Sequence, residues 1–349
     1  MTKISIAMAT YNGEMFIRQQ LGSFSRQTLL PSELIVCDDG STDRTLSIVS
    51  DFARSAPFPV KIFNNPARLG YTANFLQAAR MCEGDLIAFS DQDDEWFPQK
   101  LDRVLHASRE SDALLFAHAE EWVDKSGKSL GIVFPTDRRY RKYLRANDFN
   151  GHTIVIRRSL LDITSQSLTP NNCKTVAGDI ELNYDVLLLE VATAMNKVLF
   201  IPDVLGQWRL YSESNHPGTK QWTKHVKSSP RAKTSFADWL LPHDLAQRYA
   251  EAGSTCRKHA AIRTCMVRDL AAVEGDTPVS SARLLASIDR LTKLANVMEL
   301  RARFYSAQSL KARLRLMLAG AAMGQYKKEA QGGVGIRNAL RDLVACLFY

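Results

Sequence analysis

The first ninety residues alternate between short apolar runs and stretches of helical periodicity. Ile4-Ser5-Ile6-Ala7-Met8-Ala9 reads as a strand, and Phe16, Ile17, Leu21 and Phe24 recur at helical spacing within residues 14–27. Leu34 to Cys37 reads as a second strand. A helix opened by Asp43 follows, carrying Leu46, Ile48, Val49 and Phe52. Val60 to Phe63 reads as a third strand, Tyr71 to Met81 as a helix, and Leu86 to Phe89 as a fourth strand. Strands that are short and apolar on both faces, alternating with helices, predict a mostly parallel α/β sheet covered on both sides.

Beyond residue 90 the rhythm changes. A helix is predicted near 98–108, and two strands over 113–135 joined by the turn Asp124-Lys125-Ser126-Gly127. "GHTIVIRR" (151–158) reads as a strand, 181–196 as a helix, and Val198 to Ile201 as a short strand. Residues 212–240 are polar and irregular, and from Ala246 the pattern is helical. Leu284, Ile288, Leu291, Ala295 and Met298 share one helical face, and Thr277-Pro278 makes a plausible helix start. The boundary is placed near residue 220: a catalytic or binding domain over 1–220, and a basic helical region over 221–349.

Composition narrows the class. The chain has 349 residues, of which 45% are hydrophobic and 23% charged, ordinary values for a globular protein. Six scattered cysteines form no CxxC pair and no zinc-like cluster. With no secretory leader read at the start, reduced thiols and a cytoplasmic location are expected. No apolar run approaches the ~18–20 residues of a membrane span, so the chain is not expected to cross a bilayer. The formal net charge is +8, and nine Lys/Arg against two acids from Arg301 onward account for nearly all of it. Such a tail suits an anionic lipid surface or nucleic acid, or is simply a solvated helix face.

In an open parallel sheet, ligands bind beyond the carboxyl ends of the strands. Each of three candidate strands here ends in a polar cluster: Thr10-Tyr11-Asn12-Gly13, Asp38-Asp39-Gly40-Ser41 and Ser90-Asp91-Gln92-Asp93-Asp94. Any one of these alone reads as a turn or a helix cap. No GxGxxG or GxxxxGK[ST] phosphate cradle is present. A hard divalent cation, Mg²⁺ or Mn²⁺, held by carboxylates and bridging to a diphosphate is the alternative. Asp91 and Asp93 suit that role, with Asp94 and Glu95 left as candidate caps of the next helix.

"MATYNG", "QTLLPSELIVCDDGSTDRT" and "GDLIAFSDQDDEWFPQKL", in this order, resemble the nucleotide-sugar-binding half of family 2 glycosyltransferases with the GT-A fold. The resemblance spans about residues 3–215. The "FSDQDD-W---KL" form is similar to bacterial rhamnosyltransferases of surface polysaccharides. The resemblance implies an inverting transferase that uses a nucleoside-diphosphate sugar, a divalent metal and a glycan or lipid-linked acceptor.

By position, the resemblance implies that Asp39 accepts the N3–H of uracil or thymine and that Asp38 lies beside it. Thr10, Tyr11 and Asn12 would line the nucleotide pocket, and Asn74 would touch the nucleotide. Asp91-Gln92-Asp93 would be the DxD motif, contacting ribose and metal. Asp185, in "LNYDVLLLEVA", would be the general base, with Asp179 and Glu181 as rivals. An acid in the first turn of a helix is the plainer reading of Asp185. Where the family often has "YRxHxxN", this chain has "WRLYSESNHPG". Tyr211 stands at the His position, which moves metal ligation by His to His216 or removes it. Arg209 is a phosphate contact or a structural ion pair, and His152 faces the acceptor or is structural. Residues 207–209 are not the QxxRW of processive synthases.

The last segment, "GIRNALRDLVACLFY", is basic and amphipathic. It suits peripheral contact at the inner face of the plasma membrane, packing on the first domain, or an oligomer contact. A catalytically degenerate scaffold and a basic polyanion-binding protein are the competing classes. The latter lacks any nucleic-acid-binding motif, and acids at the sheet edge would repel a polyanion, so no nucleic-acid partner is expected.

Overall fold

The computed structural model describes residues 2–135, 149–165, 183–211, 278–307 and 310–322, with scattered positions between 247 and 264. The chain divides into two compact units. The first comprises Met1–Lys174 with Glu181–Lys227, and the second Thr175–Ile180 with Ser228–Tyr349.

In the first unit, four parallel strands lie in the order β3 (Val60–Asn64), β2 (Glu33–Asp38), β1 (Ile4–Thr10) and β4 (Leu86–Ser90). Helices α1 (Ile17–Ser25), α2 (Thr45–Ala53) and α3 (Tyr71–Met81) make the crossovers. All six residues of β2 and all five of β4 are buried, as central strands covered on both faces require. Ile6, Met8, Val36, Phe24 and Trp96 belong to the main core cluster. The first helix begins later than the pattern predicts, because the Gly13 carbonyl takes the amides of Phe16 and Ile17 in a preceding turn.

The second half of the sheet is mixed. After β5 (Glu95–Trp96) and α4 (Lys100–Glu110) come β6 (Leu115–Val123) and β7 (Ser129–Phe134), an antiparallel pair as predicted. β8 (Ile154–Arg157) inserts antiparallel between β4 and β6. The predicted strand over 151–158 is therefore shorter. Residues 151–153 form a 3₁₀ turn in which the Asn150 carbonyl accepts from both the amide and the hydroxyl of Thr153. From residue 158 the chain turns into α5 (Arg158–Ser165) and, further on, α6 (Tyr184–Ala194).

The last strand, β9 (Val198–Arg209), is three times the predicted length. Pro202 and Gly206 interrupt its apolar pattern, but pairing with β6 continues to Val123–Arg209 across two register shifts. Such irregularities accommodate proline within a sheet.

The second unit contains α7 (Pro278–Ser306) and α8 (Leu310–Ala322). Helix α7 starts at the predicted proline. Ala295 on the predicted stripe is fully buried, and Phe304 packs with Tyr305, Leu316 and Met317. Among the described residues no helix is long and apolar enough to cross a membrane. His216, Asp179, Glu181 and the segment 335–349 lie outside the described residues.

Candidate active site

The carboxyl ends of β1, β2 and β4 bring the three polar clusters together. Asp38, at the end of β2, is fully buried and organises the edge. Its Oδ1 accepts from the Thr10 hydroxyl at 2.7 Å and the Ser41 hydroxyl at 2.6 Å. Its Oδ2 accepts from the amides of Gly40 and Ser41. Asp38 and Thr10 therefore brace the turn rather than offer free groups to a ligand. Asn12 adopts a left-handed conformation (φ 48°), and its Oδ1 accepts the Thr42 amide at 2.8 Å. The Gln92 carboxamide pairs in both directions with the Tyr11 backbone, at 2.9 and 3.0 Å, which ties the DxD turn to β1. Gly13 is needed there, because a Cβ would strike the Gln92 side chain.

Asp39 is buried and faces the turn before α3. Its Oδ1 accepts from the Leu69 amide at 2.6 Å and from Asn65 at 3.1 Å, and its Oδ2 accepts from the Gly70 amide at 2.9 Å. Arg68 lies 3.9 Å from Oδ2 and stacks over the Tyr11 ring. Asn74 is also buried. Its amide donates to the Cys37 carbonyl and its Oδ1 accepts from Asn65, so it braces the turn before α3 from within.

At the end of β4 the acids separate by role. Asp94 is not the helix cap expected from sequence; it is almost wholly buried, and the cap position of α4 is Gln99. Its Oδ1 accepts the Arg209 amide at 3.1 Å, and its Oδ2 lies 3.0 Å from His152 Nδ1. The other ring nitrogen of His152 meets Glu120 Oε2 at 2.8 Å. Burial opposes charge on His152, but the two flanking carboxylates prevail and hold it protonated well above its usual range. Glu120 also accepts from Trp122 and Asn150. Of the two readings of His152, acceptor-facing or structural, its contacts fit the structural one: it is the centre of a buried ionic chain, Asp94–His152–Glu120.

Lys100 is sealed beside this chain. Its ammonium donates to the His152 carbonyl at 2.6 Å and sits 3.5 Å from the centre of the Trp96 ring. Burial depresses its pKa well below the ordinary value despite the nearby acids. Sequence reasoning did not single out Glu120 or Lys100. Their only signal is a charged residue inside an apolar run, which is costly to bury without partners.

Arg209 is likewise buried and clamps the acid turn. Its guanidinium donates to the carbonyls of Asp93 and Lys125 and to Gln19 Oε1. These contacts are structural, but they are hydrogen bonds to carbonyl oxygens and a carboxamide rather than the ion pair offered by the sequence. Tyr211 donates to Asp93 Oδ2 at 2.5 Å and packs on Phe16.

Asp91 and Asp93 remain as the partly exposed carboxylates of the turn. Burial, with repulsion from Asp94 and Asp93, pushes the Asp91 carboxyl well above the carboxylate range. Burial and Asp94 raise Asp93 to about 6. Asp91, Asp94 and His152 can each direct one ligand atom into a space 4.8 Å across. Because both nitrogens of His152 already face carboxylates, the oxygens are the better donors. Crowded carboxylates that repel one another fit a hard divalent cation, which would relieve that repulsion.

Asp185 sits in the first turn of α6 and accepts its neighbour's amide, Val186, at 2.8 Å. Burial lifts its carboxyl to about 6. Its charge is felt at Asp91, so the two carboxyls lie within electrostatic reach of one another. The preceding Tyr184 anchors it: the ring stacks on Phe75 at 4.4 Å and packs at a tilt against Phe89 at 4.7 Å. Gly151 lies against the Tyr184 hydroxyl, so closely that a Cβ there would collide with it.

This is an open α/β sheet with an acid-lined carboxyl edge and a buried ionic brace beneath it, the architecture of a GT-A nucleotide-sugar-binding fold. Residues 5–163 match the profile of Glycosyl transferase family 2. The chain is 30% identical over 159 residues to the Escherichia coli UDP-Glc:alpha-D-GlcNAc-diphosphoundecaprenol beta-1,3-glucosyltransferase WfgD, covering 46% of this chain and 62% of that one. It is 35% identical over 116 residues to the Shigella flexneri dTDP-rhamnosyl transferase RfbG, covering 32% and 38%. The matches to the first three curated relatives span only 39%, 62% and 65% of their lengths. Among solved structures, the Pyrobaculum calidifontis mannosyltransferase PcManGT, in complex with GDP-Man and Mn²⁺, superposes with a TM-score of 0.51 at 18% identity, covering 99% of this chain and 87% of that one. That likeness concerns the fold.

Proposed function

We propose that the first unit transfers a sugar from a nucleoside diphosphate to a hydroxyl of a glycan or lipid-linked acceptor, with inversion at the anomeric carbon, in bacterial surface polysaccharide synthesis. The observation that supports this reading most is that Asp185 lies within electrostatic reach of Asp91, on a helix whose Tyr184 packs on Phe89, two residues before Asp91. L-Rhamnose from dTDP-rhamnose is the favoured donor. The resemblance of the DxD segment and the similarity to RfbG both support it. The acceptor class named for WfgD, a diphosphoundecaprenol-linked sugar, suits a cytoplasmic enzyme at the inner face of the membrane.

In this reading Asp39 offers its remaining lone pair to a pyrimidine N3–H, while Tyr11 and Asn12 border the base and ribose. Asp91 and Asp93 hold Mg²⁺ or Mn²⁺, which supplies charge neutralisation at the leaving diphosphate. Asp185 takes the proton of the acceptor hydroxyl as that oxygen attacks the anomeric carbon. The buried brace from Glu120 through His152 to Asp94, with Arg209, keeps the acid turn from moving during transfer. The basic tail would add affinity for an anionic membrane surface.

The test is a screen of UDP- and dTDP-sugars with and without Mg²⁺ or Mn²⁺, read as donor binding and hydrolysis. Turnover of one donor, dependent on metal and abolished in Asp93→Ala, is the expected result. Failure of the folded protein to bind any nucleotide sugar under either condition would refute the reading. A catalytically degenerate scaffold and a basic polyanion-binding role would then be the remaining classes.

The pH profile follows from Asp185. A general base works only when ionised, and this carboxyl titrates near 6. On the acid side kcat/KM is therefore expected to fall, approaching about tenfold per pH unit below that value. A profile that stays flat down to pH 4.5 would remove Asp185 from the role.

A further inference from the structure

Tyr71 is among the most exposed large apolar-bodied side chains, at 46%, yet its backbone is firmly held. It is the first residue of α3 and follows Gly70, whose φ of 83° disfavours any residue with a Cβ. The Leu69 and Gly70 amides both donate to the buried Asp39 carboxylate. One buried acid thus fixes the turn that presents Tyr71 to solvent. Its ring leans on Phe75, with centroids 5.0 Å apart, and on Tyr184, 5.6 Å apart.

Those neighbours locate it. Tyr184 is bonded directly to Asp185 in the chain, and it packs on Phe89, two residues before Asp91. Burial of the hydroxyl disfavours its ionisation, and the charges of Asp91, Asp185 and Asp93 add to that, with the Tyr184 hydroxyl beside it. The packing on Tyr184 and, through it, on Phe89 sets Tyr71 near the segments that carry Asp185 and Asp91, while part of the ring stays open to water. A neutral phenol there can both donate to and accept from sugar hydroxyls, and an open aromatic face covers the apolar face of a sugar ring.

We infer that Tyr71 is a sugar-contacting residue that positions the transferred sugar between the Asp91–Asp93 turn and Asp185, and so contributes to donor selectivity. This rests on the glycosyltransferase reading above. It also couples two parts of the donor site. Asp39, the acid placed to read the base, fastens the same turn that delivers Tyr71 to the sugar.

The experiment compares binding of a nucleotide sugar with binding of the bare nucleotide. Titrations of dTDP-rhamnose, UDP-glucose, dTDP and UDP would be run with Mn²⁺ on the full chain and on Tyr71→Ala and Tyr71→Phe. Tyr71 is surface-exposed, and thermal unfolding would confirm that both variants fold. For the sugar that binds, Tyr71→Ala is expected to weaken affinity about tenfold, equivalent to about 1.4 kcal/mol, and to leave the bare nucleotide within about twofold. A similar loss in Tyr71→Phe would assign the contact to the hydroxyl, and its retention would assign it to the ring face. Unchanged sugar affinity in Tyr71→Ala, or an equal loss for sugar and bare nucleotide, would overturn the inference while leaving the proposed function standing. A wild-type chain that binds none of the four probes would overturn both.

Discussion

Replacing Asp185 with Asn should lower sugar-transfer turnover by about 10²–10⁴-fold while leaving donor binding close to that of the parent chain. The amide keeps the size of the carboxylate and can still accept the Val186 amide, but it cannot take a proton. If Asp185 were only a first-turn helix acid, its loss would cost about 0.3–1 kcal/mol of stability and would spare turnover. Steady-state kinetics with a competent donor and acceptor, set beside a donor titration, separate the two. A kcat within about threefold of the parent would contradict the role, given the contribution expected of a positioned base. The structure favours the catalytic outcome. Asp185 is lifted to about 6 and interacts electrostatically with Asp91, features a solvated helix-end acid would lack.

The second large effect falls on stability. His152→Ala should cost about 3–5 kcal/mol, because removing one member of a buried ionic chain strands the others. Asp94 and Glu120 would each lose the imidazolium they meet at 3.0 and 2.8 Å, inside a core where neither can reach water. Chemical denaturation should show the loss with or without added metal. A variant as stable as the parent without metal, but with weakened Mn²⁺ affinity, would instead make His152 a metal ligand. The expected order is His152→Ala much worse than His152→Gln, since glutamine can still hydrogen-bond within the cavity.

The alternation of apolar strand and helix over the first ninety residues was legible because central parallel strands must be apolar on both faces. That requirement writes itself into the chain at β2 and β4. The clustering of Asp38, Asp39, Asp91 and Asp93 was legible for a related reason: polar residues just past a buried strand mark the sheet edge where ligands sit. The length of β9 was not legible, because Pro202 and Gly206 mask a pairing that only β6 and β5 supply. Residue type misled at Asp94, and at His152 and Arg209 it left a contact and a structural role open. An acid before a helix reads as a cap, and a lone His or Arg carries no local sign of its partners. Whether either is free depends on partners about 30 to 190 residues away in the chain.

Sequence by itself determined the resemblance of the first unit to family 2 glycosyltransferases, the α/β order of its elements and the edge at which its polar clusters gather. These follow from local periodicity and from motifs short enough to be read along one strand and its turn. Tertiary structure alone decided which of the gathered groups remain available. It consigned Asp38, Asn74 and Arg209 to bracing, buried Asp94 with His152 and Glu120, and left Asp91 and Asp93 partly exposed with Asp185 in electrostatic reach of Asp91. The physical reason is that a polar side chain's role depends on whether its hydrogen bonds and its charge are already satisfied, and those partners come from distant segments that only folding brings together.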